Sequence, residues 1–217
     1  MARRRKNYYR LSRKNRNTVL VFVIVLLVLT AAVDYLKTER TGERPIAVGA
    51  ADSNDFEKYD GREFLVIKVV DGDTLDINEP DRDKNWTRIR LWGVDTPETS
   101  KSPGGEMYYG PQASEFTRES TLNKLVVIRL DAGNNTRGKY GRLLAYVELP
   151  DGRVLNEVLL SEGYAYADLR FRHSMYDDYI ERQTEAQENG AGLWGQVKRE
   201  DLPRWLQRNR PKLLNTN

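Results

Sequence analysis

The sequence predicts an α+β protein: a small five-stranded OB-fold β-barrel with three packed helices, preceded by an N-terminal hydrophobic helix. Three observations carry this. Five short runs rich in β-branched residues recur between residues 64 and 149. Helix-like segments follow the third and the fifth of them. A basic block leads into an uninterrupted apolar run near the N-terminus. Three strands, a helix, two strands and two helices suit a small closed barrel better than a sandwich. At 217 residues, the chain has room for one domain plus accessory segments.

Taken in order, Phe64–Val70 is a strand that ends in the tight turn Asp71-Gly72-Asp73, and Thr74–Asn78 alternates as its return strand. Glu79–Asn85 is a charged loop. Trp86–Trp92 is the third strand, with Trp86, Arg88, Arg90 and Trp92 on one face and Thr87, Ile89 and Leu91 on the other. Pro97 breaks the pattern, and Ser100–Tyr108 reads as a mobile loop. Pro111–Leu122 is helical, with Ala113, Phe116 and Thr117 on one side. Leu125–Leu130 and Leu143–Leu149 are the last two strands, separated by the turn-rich Asp131–Gly141. Val154–Glu162 and Tyr176–Asn189 are helices, the second stopped by Gly190 and Gly192.

The N-terminus has a different character. Residues 1–18 hold eight basic residues and no acid, which leaves 27 basic against 32 acidic residues in the remainder. The net positive charge therefore belongs to the tail and says nothing about nucleic-acid binding by the body. Thr18–Val33 is sixteen uncharged, mostly apolar residues. As a helix it spans roughly 24 Å, a little short of the roughly 30 Å hydrocarbon layer. An uncleaved signal anchor over 18–36 is favoured over a cleaved signal, because Ala31-Ala32-Val33-Asp34 fits a cleavage site poorly. The expected organisation is a basic cytoplasmic tail (1–17), the anchor (18–36), a linker (37–60), the barrel domain (61–195) and a polar basic tail (196–217). The barrel domain is then exported and membrane-anchored, with secretion after cleavage as the alternative. Absence of cysteine excludes disulfides and thiolate chemistry, and a single histidine excludes a multi-histidine metal site. His173 reads as a surface loop residue without chemistry.

One constellation stands out. Arg90-Leu-Trp-Gly-Val-Asp95-Thr96-Pro-Glu98 sets an arginine, two carboxylates and a threonine within nine residues, downstream of Asp71-Gly-Asp73-Thr74 and upstream of Lys139-Tyr140-Gly141-Arg142. Hard cations take carboxylate and carbonyl oxygens. A phosphodiester transition state takes guanidinium groups, and a water nucleophile needs a carboxylate to orient it. Taken alone, each acidic pair reads as a turn, and Arg90 and Arg142 read as surface charges. Together, two acidic turns after neighbouring strands can bring Asp73 and Asp95 onto one ion.

These motifs, with Tyr109-Gly-Pro-Gln-Ala113, Asn156-Glu157 and Gly192-Leu-Trp194, make the chain resemble the thermonuclease family, the staphylococcal-nuclease type, over roughly residues 62–195. The resemblance implies an OB-fold barrel and a Ca²⁺-dependent phosphodiesterase acting on DNA or RNA, as a monomer. It implies that Asp73, Asp95 and the Thr96 carbonyl hold the metal. Glu98 would activate water, Arg90 and Arg142 would neutralise the phosphorane, and Lys139 and Tyr140 would contact a terminal phosphate. Leu169 and Phe171 stand where the family has tyrosines. The alternative is a catalytically weak nucleic-acid-binding module of the cell envelope.

Overall fold

The computed structural model describes residues 53–100 and 104–209. The basic tail and the apolar run, with the anchor expected there, lie outside the described residues. Chain order is α1 (Ser53–Tyr59), β1 (Arg62–Asp71), β2 (Thr74–Ile77), β3 (Thr87–Leu91), β4 (Val94–Asp95), α2 (Gly110–Thr121), β5 (Leu125–Arg129), β6 (Leu143–Glu148), α3 (Leu155–Ser161), β7 (Tyr166–Ala167), α4 (Tyr176–Glu188), 3₁₀ turns at Gly192–Gly195 and Arg199–Asp201, and α5 (Arg204–Asn209).

The five long strands close into a barrel in the order β1-β2-β3-β6-β5. β1 belongs to both halves. Arg62–Leu65 pair with β5, while Val66–Asp71 pair with β2 across two register shifts. Those irregularities bend the strand so that one segment can serve two neighbours. β3 and β6 run parallel and complete the closure. Along β3, Thr87, Ile89 and Leu91 are buried and Arg88 and Arg90 lie on the other face, as the alternation predicts. Val66, Leu75, Ile77, Ile89, Ile128, Leu143 and Val147 fill the interior.

The expected barrel is present, and the helices expected at 111–122, 154–162 and 176–189 sit within a residue of their observed ends. The structure departs from the sequence reading in three places. Two helices lie in the segments expected to be linker and tail, so five α-helices rather than three surround the barrel among the described residues. α1 falls inside the expected linker, yet Tyr59 is fully buried in the core and its hydroxyl meets Thr87 Oγ1 at 3.0 Å. Asp55 of α1 accepts hydrogen bonds from Thr136 and Arg137. In the expected polar tail, Val197, Leu202 and Leu206 are buried against Tyr166, Ala186, Leu193 and Trp194. Burying a leucine such as Leu206 contributes about 1.5–3 kcal/mol, which outweighs the surrounding charges.

His173 is the third departure. It is 8% exposed and surrounded by Trp92, Tyr146, Tyr176 and Tyr179. Its Nδ1 lies 3.1 Å from the Tyr146 hydroxyl, which donates to Asp131 Oδ2. Short apolar periodicity cannot reveal a histidine buried by rings from three separate segments. Burial pushes the imidazole below its usual value of 6.5, against the pull of Asp131 and Asp168. The unfolded chain therefore takes up the proton first. The stability contributed by neutral His173 is complete above pH 6.5 and is lost as pH falls through the lower folded-state value. Because the chain has one histidine, a single imidazole resonance should titrate, with a midpoint below 6.5 in a proton NMR titration.

Candidate active site

The site grows from the β1–β2 turn. Asp71, Gly72 and Asp73 cross between two paired strands, and Asp73 turns inward to 7% exposure. Thr74 Oγ1 donates to Asp73 Oδ1 at 3.0 Å, and the Thr96 backbone N–H donates to Oδ2 at 2.9 Å. Gly72 is required by a close approach: a Cβ there would lie 2.7 Å from Thr96 Oγ1. Its carbonyl accepts a hydrogen bond from Thr117 Oγ1 at 2.6 Å, which ties α2 to the turn.

Strand register delivers the arginine. Thr74 of β2 pairs with Arg90 of β3, so Arg90 emerges beside Asp73. One guanidinium arm ion-pairs with Asp73, and the other reaches Asp95 Oδ1 at 2.6 Å. Asp95 lies on β4, whose pairing with β7 sets it opposite Tyr166. Its other oxygen, Oδ2, accepts from the Trp205 indole at 2.9 Å and ion-pairs with Arg170 at 3.2 Å. Arg170 in turn is held by both oxygens of Asp168, at 2.7 and 2.8 Å. Asp168, Arg170, Asp95, Arg90 and Asp73 thus form a chain of alternating charge.

Arg142 enters from the loop before β6. Its Nε is buried with no hydrogen-bond partner. Burial and the like charge of Arg90 both lower its pKa, opposed by Asp71. Asp71 is the converse case: burial raises its pKa, while Arg90 and Arg142 pull it down. Arg142 and Asp71 both feel Arg90, and the β3–β6 register places Arg90 opposite Leu144, two residues past Arg142. Tyr140 is 77% exposed beside them, with Lys139 Nζ at 5.5 Å and the Arg142 guanidinium at 5.9 Å from its ring centroid. The expected charged loop closes on itself through the paired backbone bonds of Asp81 and Lys84. With Tyr140 and Arg142 it walls a cleft of about 230 Å³. Glu98 is exposed two residues past Thr96, and its carbonyl accepts the Met107 N–H at 2.9 Å.

The structure therefore joins Asp73, Asp95, Thr96 and Arg90 directly and sets Arg142 within the field of Arg90 and Asp71. It places Tyr140 beside Arg142. Among the described residues no three acidic, histidine or cysteine side chains form a metal cluster. Two carboxylates that already share one cation nevertheless offer oxygen ligands of the kind a hard divalent ion takes. Thr117, Arg170 and Trp205 join the site from positions that the sequence pattern does not mark as chemical. For Trp205 the available signal was the helical spacing of Leu202, Trp205 and Leu206. Phe171, at a family tyrosine position, stacks on Trp92 with centroids 6.0 Å apart.

A five-stranded barrel that gathers carboxylates and two arginines at one end defines a class of phosphodiester-cleaving proteins, and comparison with known proteins agrees. The family model described as staphylococcal nuclease homologue matches residues 88–196. A thermonuclease of Staphylococcus intermedius is 36% identical over 175 residues, covering 80% of this chain and 95% of the relative. The thermonuclease of Staphylococcus hyicus is 34% identical over 170 residues, covering 78% and 95%. A prophage-derived endonuclease of Bacillus subtilis is 33% identical over 129 residues, covering 58% and 42%. The chain belongs to the staphylococcal nuclease family, and it is a nuclease, a hydrolase of nucleic acid.

The Gly72 approach gives a test of the site's framework. Gly72→Ala should force Thr96 away from Asp73 and cost about 1–3 kcal/mol of stability, the usual penalty for overpacking. Denaturant unfolding measures the loss, and nuclease activity should fall with it.

Proposed function

We propose that the chain is a Ca²⁺-dependent nuclease that hydrolyses phosphodiester bonds of DNA or RNA through this site. The observation that carries the reading is Arg90 bridging Asp73 and Asp95, with Arg142 entering two residues before Leu144, the β6 partner of Arg90. Arg142, its Nε buried without a partner and its charge disfavoured by burial and by Arg90, favours an anion beside it. Asp73, Asp95 and the Thr96 carbonyl would hold the calcium ion, which when bound supplies Lewis-acid polarisation of a phosphoryl oxygen.

The protein's own groups do the rest. Arg90 and Arg142 neutralise the charge that develops on the pentacoordinate phosphorus and the leaving oxygen, in a site where burial strengthens each interaction. Glu98, exposed and therefore reachable by solvent, orients the attacking water and takes its proton. Lys139 and Tyr140 project from the rim and meet a neighbouring phosphate. Phe171 offers an exposed ring for stacking on a base but no hydroxyl for phosphate.

The test is digestion of single- and double-stranded DNA and RNA by the purified protein, with and without chelator. Chelator should abolish cleavage. Asp73→Asn should weaken calcium binding and activity while leaving circular dichroism unchanged. Arg142→Lys should cost on the order of 10³-fold in rate, because lysine cannot make the bidentate contact to the phosphorane. Near-normal turnover in that variant would return Arg142 to the status of a surface charge.

We also propose that residues 18–36 anchor the protein with its basic tail in the cytoplasm and its catalytic domain exported. Support comes from the eight positive charges ahead of the apolar run. No helix among the described residues is long and apolar enough to cross a membrane, and the apolar run is not among them. Protease added to cells with a permeable wall should remove the domain and spare the tail. Protection of the whole protein would defeat this topology.

A further inference from the structure

We propose that Trp205 is a positioning residue for Asp95, so that the C-terminal segment beyond the family-matched region is a working part of the site. The inference rests on the reading that Asp95 holds calcium. The indole Nε1–H donates to Asp95 Oδ2 at 2.9 Å across 110 residues of sequence.

The two oxygens of Asp95 face different partners. Oδ1 meets Arg90, the group shared with Asp73, and Oδ2 meets Trp205 and Arg170. Fixing Oδ2 therefore fixes the plane of the carboxylate and keeps Oδ1 turned toward Asp73. A neutral indole does this without adding positive charge that would compete with a cation. Arg170 shares the same oxygen, but its charge is already matched by the bidentate contact to Asp168. Its guanidinium instead covers the Trp205 ring at 4.6 Å. Leu202 and Leu206, both buried, seat the helix from below, and Gln207 closes it back onto the Leu202 carbonyl at 2.6 Å.

Packing alone does not account for the hydrogen bond. In the same apolar cluster, Trp194 buries its indole N–H with no partner. The Trp205 N–H is instead directed at one carboxylate of the candidate metal pair. Hydrogen bonds to ligating carboxylates orient them, and removing such partners typically costs 10- to 100-fold in metal affinity.

Calorimetric titration of the full chain with Ca²⁺ tests this, using wild type, Asp95→Asn and Trp205→Phe. Phenylalanine retains an aromatic ring and removes the N–H. The expected result is a calcium Kd raised about tenfold or more in Trp205→Phe, with an unchanged thermal midpoint. In wild-type ¹⁵N-labelled protein, the Trp205 indole N–H resonance, assigned through its proximity to Leu206, should shift on calcium binding. That measurement stands even where the variant folds poorly. Wild-type affinity in Trp205→Phe, tighter binding, or an indole resonance indifferent to calcium would overturn the proposal. Calcium binding by wild type that Asp95→Asn abolishes keeps the metal reading intact and makes such a failure specific to Trp205. If wild type binds no calcium, both readings fall.

Discussion

The rest of the site depends on one guanidinium held between two carboxylates. Asp73 and Asp95 come from different strands and would repel each other if left facing one another. Arg90 sits between them with a side chain only 12% exposed, and breaking a buried pair of this kind by removing one partner typically costs about 3–5 kcal/mol. The bridge holds the turn after β1, the middle of β3 and the start of β4 in one place. It also concentrates opposite charges in a small, poorly solvated volume, where a cation for the carboxylates and an anion for the arginines are both favoured.

The barrel makes this possible through register rather than through any single contact. β1 is bent by its two irregularities, so its far end pairs with β2 and delivers the Asp71–Asp73 turn to the barrel rim. β3 pairs antiparallel with β2 and parallel with β6, which brings Arg90 opposite Leu144, two residues past Arg142. A one-residue slip in either pairing would turn Arg90 into the apolar interior. The buried aliphatic faces that hold the strands in register therefore also hold the charges in position.

Much of this was legible in the amino-acid sequence. Alternation along residues 87–91 separates buried from exposed side chains, and the turn and helix boundaries follow from Gly, Pro and Asp positions. The charged motifs mark the site because carboxylates and arginines recur there at short spacing. Other parts were not legible for physical reasons. α1 and α5 are short, and the apolar residues in and beside them, Tyr59, Leu202 and Leu206, are sparse among charges; only the surfaces they cover reveal them. His173 is buried by rings from distant segments. Trp205 meets Asp95 across 110 residues, a contact that local pattern does not encode.

Arg137 carries a consequence of its own. It binds Asp55 through two nitrogens, Asp81 through a third contact, and the carbonyl of Gly141 at 3.2 Å. Three segments far apart in sequence thus share one side chain: α1, the charged loop and the loop carrying Lys139, Tyr140 and Arg142. The helix that precedes the barrel is therefore part of the wall that supports the loop carrying Tyr140 and Arg142. A fragment trimmed to begin at Gly61, where the strands start, would strip Arg137 of its best-buried carboxylate and uncover the barrel where Tyr59 closes it. A self-sufficient version of this enzyme therefore includes Ser53–Tyr59 and does not start at the first strand.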